Sequence, residues 1–303
     1  MLIAFGMTSV ARSEVYRKLL PPLRFEPDFP ELPANHLKFY LHFGQRMERG
    51  DVFRYLRLIE IDESGREIAE VREPFREIEL WDGSFTRLTV WLHPGRQKPG
   101  VNLNVEIGPV LEEGKNYRLE VSGKWPMENG EPLGESRSYR FRAEAPDSTQ
   151  PDPNKWTIEI MDGVPVLRTG DKLDAASVRN SIHCRKDGGR EEFTIQLTTP
   201  DKTTKASYAL NESVFELATP EEEFPLKALF PKPWQPGGYE LIIDAKLEDL
   251  AGNSIARPFN LDIEKHPNFR EQAEPVILPF RIPEQPSRPE WKTVPSTSLL
   301  QRR

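Results

Sequence analysis

Cysteine is nearly absent from this sequence: Cys184 is the only one in 303 residues. A single cysteine excludes an intramolecular disulfide. Because an oxidising compartment permits disulfides without requiring them, this scarcity leaves both the cytoplasm and a bacterial periplasm open. The chain is long enough for two domains, and each could bury most of its apolar surface without disulfide help.

Long apolar runs and concentrated basic patches are also lacking. The absence of a run of about 18 apolar residues argues against a membrane span. The formal net charge is −7 with a pI near 5.5, and acidic and basic residues are interspersed. This distribution is typical of a solvated surface and gives no electrostatic footprint for a nucleic-acid partner.

The motifs of common catalytic and metal sites are missing as well. His183 and Cys184 are neighbours in a strand-like segment, so their side chains point to opposite faces and make a poor thiol–imidazole pair. Residues 188–190 (GGR) lack the lysine of a phosphate-binding loop and are typical of a turn. The histidines show no ligand spacing. We therefore predict no enzyme activity and no catalytic, cofactor-binding or metal-binding residues; the five histidines are His36, His42, His93, His183 and His266.

Two groups of residues carry a functional alternative. In residues 79–83 (ELWDG), Trp81 lies beside carboxylates and could stack on a sugar ring; alternatively, Trp81 covers the end of a core and Asp82-Gly83 turns a hairpin. Acidic loop residues could ligate calcium, which takes six to eight oxygen ligands, although their spacing matches no known loop motif. These acidic residues are Asp62, Glu63, Asp187 and Asp249.

The sequence is rich in proline and in segments where apolar and polar residues alternate. The 29 prolines disfavour long helices, since an interior proline costs about 3 kcal/mol. Residues 35–43 alternate with period two, which predicts a half-buried strand. Its apolar face would comprise Leu37, Phe39, Leu41 and Phe43, and its polar face Lys38, Tyr40 and His42.

A short helix and several more strands follow along the chain. The spacing of Val52, Phe53 and Leu56 predicts one or two helical turns after the first strand. Residues 57–68 predict a hairpin that turns at Ser64-Gly65. Residues 86–94, 116–125 and 138–144 predict further strands of the first half, and residues 237–246 and 256–264 predict strands of the second.

The two halves of the chain repeat. A shift of 122 positions places Tyr117 on Tyr239, and a shift of 126 positions places Leu41 on Leu167. The alternation keeps its phase and the short helix recurs, which favours duplication, although the middle strands match poorly. Short strands at roughly ten-residue spacing within each half are typical of a β-sandwich.

The predicted fold class is therefore all-β, with two tandem Ig-like β-sandwich domains, each with a short helical turn after its first strand. Leu261 and Ile263 should close the second domain as Tyr139 and Phe141 close the first. Residues 9–11 fit the small-x-small pattern of a signal cleavage site, so the N-terminus is either a truncated secretion signal or an ordinary disordered start. The predicted segments are an N-terminal extension (1–30), domain 1 (31–145), a proline-rich linker (146–154), domain 2 (155–264) and a proline-rich C-terminal tail (265–303), in which 276–282 could dock on the second sandwich.

The turn at residues 247–255 (LEDLAGNSI) has a clear local chemistry. Asp249 can accept a hydrogen bond from the backbone N–H two residues on, which closes an Asx-type turn. Gly252 can adopt a positive φ without steric cost, and Asn253 tolerates the same region. Gly130 lies at the equivalent place in the first half, so the turn recurs with the fold.

The order of these motifs resembles the bacterial Ig-like domain of surface-layer (SbsA-like) proteins. The resemblance rests on the strand ending at Ile243, the L-x-D-x-A-G-N-x-I turn of residues 247–255, and the segment from Phe43 to Glu48. Phe43 and Met47 match that family's pattern, whereas Gly44 and Arg46 depart from it, and the second half keeps only Leu173 and Asp174. The resemblance implies secreted or cell-surface scaffolding without catalytic residues.

These observations lead to one functional prediction and two alternatives. We predict a non-enzymatic, exported structural or interaction module of the bacterial envelope, periplasmic or extracellular, whose partner is a protein or a cell-envelope polysaccharide. The first alternative is a carbohydrate-binding accessory protein with Trp81 as its platform. The second is a hydrolase whose site the sequence does not reveal.

Overall fold

The computed structural model describes residues 23–98, 100–161, 163–189, 192–198, 207–212, 234–261, 268–271 and 274–284. The cleavage-like residues 9–11, the histidine at 266 and the end of the predicted tail from 285 onward lie outside these ranges, so predictions about them stay predictions. Within the described residues, no helix is long and apolar enough to cross a membrane.

The first half packs two antiparallel-rich sheets face to face. One has the strand order β1-β3-β7-β6 and the other β2-β9-β8-β4-β5. Apolar residues from both sheets meet in one core, such as Phe39 and Val90 from the first and Leu58 and Leu119 from the second. The elements are β1 (Arg24–Glu26), β2 (Glu31–Pro33), β3 (Lys38–His42), a 3-10 turn (Val52–Tyr55), β4 (Leu56–Ile61), β5 (Glu67–Glu70), β6 (Phe75–Trp81), β7 (Arg87–Leu92), α1 (Pro94–Gln97), α2 (Asn102–Ile107), β8 (Asn116–Val121) and β9 (Arg137–Glu144).

The second half has the same plan, but its strands form one continuous sheet. The order is β10-β11-β14-β13-β12-β15-β16, and β13 joins the two layers because it pairs with both β12 and β14. Leu167, Leu241 and Ile282 lie in its core. The elements are a 3-10 turn (Pro153–Lys155), β10 (Thr157–Met161), β11 (Val164–Arg168), α3 (Ala175–Ser181), β12 (Ile182–Lys186), β13 (Glu192–Thr198), β14 (Ser207–Glu212), β15 (Gly237–Ile243) and β16 (Val276–Ile282).

The predicted fold class, all-β with two sandwich-type halves and few helices, is confirmed. The predicted helical turns are the 3-10 turn after β3 and helix α3 after β11. Each of these two strands, β3 and β11, pairs with a preceding strand that the sequence did not predict, β1 and β10 respectively. Phe25 of β1 pairs with Leu41 of β3 and is buried in the core, so β1 belongs to the sandwich although it lies within the predicted extension 1–30.

Strand register reproduces the repeat seen in the sequence. Leu56 pairs with Val121 in the first half, and their equivalents Ile182 and Ile243 pair in the second. The backbone hydrogen bonds of the turn also correspond: Gly130 N–H donates to the carbonyl of residue 127, and Gly252 N–H donates to that of residue 249. Such agreement in pairing, beyond agreement in composition, is what a duplicated fold produces.

The closing strand of the second half is not where the sequence predicted it. Leu261 and the described residues before it, 257–260, form no strand, and β15 pairs with β12 on one side and with β16 on the other. The side chains of Ser254 and Asn253 accept the N–H groups of Arg257 and Phe259, and a proline stands between them. These N–H groups therefore cannot pair with a neighbouring strand. Part of the predicted tail, Val276–Ile282, completes the sheet instead.

The turn glycines adopt the predicted conformation. Gly252 has φ 81° and Gly130 has φ 82°, which confirms that both turns need a left-handed residue. Their surroundings differ. A Cβ on Gly252 would lie 2.5 Å from Cδ1 of Leu37, whereas nothing lies within 4 Å of a Cβ on Gly130. The second-half turn is thus packed against the first half, and the first-half turn is open.

This difference gives a matched pair of substitutions. Gly130→Ala should destabilise the protein by about 1 kcal/mol, the cost of a left-handed alanine. Gly252→Ala should cost about 2–4 kcal/mol, because Leu37 must also move. Urea unfolding of both variants measures the difference; equal effects would show that the contact with Leu37 is unimportant.

Candidate functional site: the joint between the halves

Among the described residues, hydrogen bonds and ion pairs concentrate at the contact between the two halves. We call this contact the joint. On the first half it comprises β1, the turn before β3, and the outer face of β3. On the second half it comprises the segment leading into α3, α3 itself, and the turn Glu248–Asn253. The linker 146–154 runs along its edge.

Leu250 anchors the joint by entering the core of the other half. It belongs to the second-half turn, yet it is 2% exposed and packs in the first-half cluster. Its carbonyl accepts the N–H of Leu37 at 3.1 Å, and its N–H donates to the carbonyl of Lys172 at the same distance. Burying a leucine side chain is worth about 2 kcal/mol, so this contact holds the halves together.

A buried ionic group surrounds the outer face of β3. Lys38 is 9% exposed, and its Nζ lies 2.8 Å from Oε2 of Glu248 and 3.7 Å from Oδ2 of Asp174. The Tyr40 hydroxyl donates to both carboxylate oxygens of Asp174, at 3.0 and 2.9 Å. Asp174 also caps α3, since its Oδ1 accepts the N–H of Ser177 at 2.8 Å. One carboxylate therefore ties β3 to the start of α3.

A second ionic group lies further along the same strands. Oε2 of Glu26 is 2.8 Å from Nε2 of His42 and 3.1 Å from Nη1 of Arg179. Burial opposes ionisation of Glu26, but the hydrogen bond with His42 and the charge of Arg179 prevail and lower its pKa to about 2. Glu26 is therefore a carboxylate at neutral pH, which fixes β1 and β3 against α3.

Hydrogen bonds of Asp147 and Gln150 hold the linker at the joint. The backbone of Asp147 forms two bonds with the side chain of Asn35, at 2.6 and 2.9 Å, and its carbonyl also accepts Nδ2 of Asn253 at 3.2 Å. Nε2 of Gln150 donates to the carbonyls of Ser254 and residue 255. The proline-rich linker thus contacts both halves.

Asp249 forms the predicted Asx turn and is buried at the joint. Its Oδ1 accepts the N–H groups of Ala251 and Asn253 at 2.8 and 2.9 Å, and its Oδ2 accepts Nδ2 of Asn253 at 2.9 Å. Burial raises the pKa of Asp249 to about 7, with help from the charge of Asp147 and against these hydrogen bonds. Asp249 is occupied by the turn and is not free to ligate calcium.

His36 is a buried imidazole at the same place. It is 0% exposed and packs edge-on against Phe39, with ring centroids 4.5 Å apart. Burial lowers the pKa of His36 to about 3, although the nearby backbone of Leu250 opposes the shift. Neither ring nitrogen makes a hydrogen bond of ordinary geometry. The ring is therefore neutral in the closed joint.

Trp81 packs as part of the first-half core edge. Its ring lies 5.9 Å from that of Phe43 and 6.0 Å from that of Trp125, and its Nε1 donates to Glu79. Asp82 accepts backbone N–H groups across the β6–β7 turn. These contacts match the hairpin interpretation of the ELWDG segment, and they leave Trp81 only partly exposed.

The other residues singled out by sequence have local roles. Asp62 accepts from Ser64 and Arg66 within the β4–β5 turn, while Glu63 is exposed beside it. The N–H of Asp187 donates to Gly238. His93 Nδ1 accepts the N–H of Gly95 at the start of α1. Within the described ranges, no group of three or more His, Cys, Asp or Glu side chains is placed to hold a metal ion.

His183 and Cys184 lie on opposite faces of β12, as the alternation predicts. Cys184 is in the second-half core and His183 is half-buried on the other face. The carboxylate–imidazole contact of the joint is Glu26 with His42, and it shares its oxygen with Arg179. No hydroxyl or thiol nucleophile is described on the remaining nitrogen of His42, so this pair lacks the third member of a nucleophilic site.

Sequence reasoning missed the joint, although a signal was present. The polar face of the predicted strand carries Lys38, Tyr40 and His42, and the turn LEDLAGNSI contains Leu250, an apolar residue where a solvated turn would have a polar one. Asp174 drew notice only through the family resemblance. To predict the joint from sequence, the polar face of β3 would have had to be matched with the turn that carries Leu250.

The hydroxyl of Tyr40 offers a test of the joint. Tyr40→Phe should destabilise the protein by about 1–3 kcal/mol, because Asp174 then stays buried with one partner fewer. Tyr55→Phe is the matched control, since the Tyr55 hydroxyl bonds only an exposed arginine and its loss should cost under about 0.5 kcal/mol. Urea unfolding at neutral pH measures both; a Tyr40→Phe effect no larger than the control contradicts the assignment.

Protonation of the Glu26 carboxylate should destabilise the joint at low pH. Its pKa is depressed from 4.5 to about 2, so its stabilisation is complete above pH 4.5 and is lost as pH falls toward 2. The loss should amount to about 3 kcal/mol. Glu26→Gln should remove this part of the pH dependence. Stability curves from pH 2 to 6 for both proteins will coincide in shape if Glu26 contributes nothing.

Comparison with known proteins assigns the chain to no family. No family model matches the chain, and no curated protein matches it. Among solved structures, native α-2-macroglobulin from Escherichia coli, spanning domains MG0-NIE-MG1, matches with a TM-score of 0.23 and 10% identity over 74% of this chain and 65% of that one. The cryo-EM structure of the native E. coli α-2-macroglobulin matches with a TM-score of 0.24 and 10% identity over 74% of this chain and 13% of that one. The alignments thus span under two thirds of each of the two macroglobulin chains, and at these scores the likeness carries no functional argument.

Proposed function

We propose that the chain is a non-enzymatic structural or interaction module that acts at the bacterial envelope, in the periplasm or outside the cell. Its partner would be a protein or an envelope polysaccharide. The observation that carries the proposal is the joint: Leu250 of one half is buried in the core of the other. A tandem module fixed in this way presents its outer surfaces at a constant spacing.

Fixing two domains against each other desolvates charged groups, so we expect a fixed contact where the relative orientation of the domains matters. Interfaces between domains of one chain are commonly polar and permit relative motion. Here the joint desolvates Lys38 and Asp174, whose charged atoms lie 3.7 Å apart, and Lys38 donates a hydrogen bond to Glu248 at 2.8 Å. Buried ion pairs add little net stability, and in several proteins they specify one arrangement. A scaffold that displays binding surfaces benefits from such a specification, whereas a flexible tether does not.

Export and the surface-layer type of Ig-like domain form part of the same proposal. The support for them is the motif order found in the sequence, including the turn built by Asp249, Gly252 and Asn253. The geometry of that turn agrees with the role the motif would give it.

The carbohydrate-binding alternative makes a different demand on the surface. It needs aromatic rings that a sugar can cover. Trp81 offers only part of its ring, because Phe43 and Trp125 occupy the rest. Among the described residues, Phe259 is the one aromatic in the set of exposed large apolar side chains. We therefore place the alternative second.

Binding to purified bacterial sacculi tests the proposal. The full chain should sediment with sacculi that retain their attached proteins and polysaccharide, and protease treatment of the sacculi distinguishes the two kinds of partner. Leu250→Ala should weaken binding at least tenfold, because the spacing of the halves is lost. Val105→Ala is the control, since Val105 is 73% exposed.

Three results would contradict the proposal. Absence of binding to either preparation would remove the envelope partner. Loss of binding in Trp81→Ala with full binding in Leu250→Ala would favour the carbohydrate platform. Release of shortened glycan or peptide from the sacculi, measured by mass spectrometry, would favour a hydrolase.

A further inference from the structure

The second half covers only part of the outer face of the four-stranded sheet in the first half. The outward side chains of β3 are buried at the joint, where Lys38 is 9% exposed and Tyr40 is 3% exposed. The outward side chains of β7 are half-buried, and Leu80 on β6 is 43% exposed. The covering layer therefore ends between β3 and β6, and the sheet continues beyond it as an exposed surface.

Strand register defines this surface, which we call the open face. Trp91 of β7 is the cross-strand partner of Lys38 on β3 and of Arg76 on β6. Its neighbours Val90 and Leu92 are 0% exposed in the core, so Trp91 points to the outer side. The same alternation applies along both strands. The outward residues that make up the open face are Arg87, Thr89 and Trp91 of β7 and Arg76, Ile78 and Leu80 of β6.

The open face carries an apolar group of side chains. Ile78 and Leu80 are each 43% exposed and lie two positions apart on one strand. Trp91, on the neighbouring strand, is half-buried and lies outside the first-half core cluster. Single exposed apolar side chains are ordinary on protein surfaces, whereas neighbouring ones on one face are typical of interaction sites.

The charge of the open face is positive, although the chain as a whole carries −7. Arg76 and Arg87 form no ion pair within the described ranges. The alternation from residue 76 to residue 80 places Glu77 and Glu79 on the other side of β6, where Glu79 accepts the Nε1–H of Trp81. The guanidinium groups of the open face are therefore not matched by carboxylates, in contrast to the cations of the joint.

The open face is continuous with the joint. Nζ of Lys38, an atom of the joint, lies 5.1 Å from the centroid of the Trp91 ring. The guanidinium of Arg87 lies 5.7 Å from the centroid of Tyr40, whose hydroxyl donates to Asp174 across the joint. A partner on the open face would therefore lie directly beside the second half and extend the layer that already covers β3.

We propose that the open face binds a protein segment with an apolar centre flanked by carboxylates. Ile78, Leu80 and Trp91 contact the apolar centre, and Arg76 and Arg87 pair with the carboxylates. Tryptophan and arginine are enriched at the interface positions that contribute most to binding. The bulge between Arg76 and Leu80 interrupts the free edge of β6, so the segment lies on the sheet face and does not extend the edge.

This inference deepens the proposed function, on which it rests for the view that the chain acts through a partner. It selects a protein over a polysaccharide as the occupant of the open face. An acidic polysaccharide would pair with the arginines, but it would leave the aliphatic side chains of Ile78 and Leu80 without an apolar contact.

Selection from a phage-displayed library of random peptides tests this specificity. The library is first depleted on the full chain with Ile78→Ser and Leu80→Ser together, and is then selected on the wild-type chain, so that peptides which require the open face are recovered. We expect these peptides to combine aspartate or glutamate with leucine, isoleucine, valine or phenylalanine. A parallel depletion on Ile277→Ser is the matched control, since Ile277 is 46% exposed on the edge strand β16, and it should leave the same peptides in the library.

The affinity of a recovered peptide, measured by fluorescence anisotropy, tests the charge of the open face. Arg76→Glu should weaken binding at least about tenfold. Arg142→Glu is the control, because Arg142 is exposed on β9 of the other sheet and also forms no ion pair within the described ranges; it should change the affinity less than about threefold. Raising NaCl from about 50 to about 300 mM should weaken binding at least about fivefold, and a peptide with glutamine and asparagine in place of its acids should lose this dependence.

Three results would overturn the proposal: recovery of no peptide that requires the open face, recovery of peptides without carboxylates, or full binding by Arg76→Glu. Alginate, an acidic polysaccharide, is tested in the same assay. Alginate binding that exceeds peptide binding and is lost in Arg76→Glu would assign the open face to a polysaccharide and would also overturn it. If the doubly substituted chain does not fold, Leu80→Ser alone takes its place in the depletion.

Failure of this inference is distinguishable from failure of the proposed function. Sacculus binding that requires Leu250 but persists in Arg76→Glu, without any recovered peptide, removes only the role of the open face. Recovery of the expected peptides without any binding to sacculi removes the envelope assignment and leaves the open face as a protein-binding surface.

Discussion

The insertion of Leu250 into the first-half core is the contact on which the rest of the joint depends. It brings the backbone of the second-half turn within hydrogen-bonding distance of Leu37, and this places the carboxylates of Asp174 and Glu248 beside β3. The polar residues of β3 would otherwise face water. An apolar anchor with a buried ionic surround is a common way to obtain both adhesion and a single orientation, because the anchor supplies free energy and the ions supply geometry.

The turn that carries Leu250 is built by its own side chains. Asp249 and Asn253 satisfy the turn's backbone donors, and Asn253 also reaches the linker. A turn that completes its hydrogen bonds internally can be buried without leaving orphan groups, which is a requirement for docking against another domain. The turn chemistry therefore serves local structure and docking together, and replacing either amide or carboxylate would affect both.

Period-two alternation was sufficient to predict β3, β7, β8 and the two layers, because a sandwich strand has one buried face. It could not predict that β3 is buried on both faces, since what covers Tyr40 comes from residues more than a hundred positions away. The closing strand of the second half was missed for a local reason. Residues 256–264 alternate well, but the side chain of Asn253 accepts the N–H of Phe259. Residues 276–282 were predicted only to dock on the second sandwich, and their Pro279 is compatible with a strand only at a sheet edge. β16 lies at the edge of its sheet, where proline is tolerated.

The open turn of the first half has a consequence for assembly. Glu128 occupies the position equivalent to Leu250; it is exposed and pairs with Arg46 at 3.1 Å. A head-to-tail contact that repeats without closing generates a filament. If an apolar side chain were present at both turns, the first-half turn of one molecule could insert into the core of a neighbouring molecule. Leu250 inserts into the first-half core of its own molecule in this way. Since Glu128 would have to be desolvated and unpaired to do so, the first-half turn of this chain is poorly suited to this mode of docking.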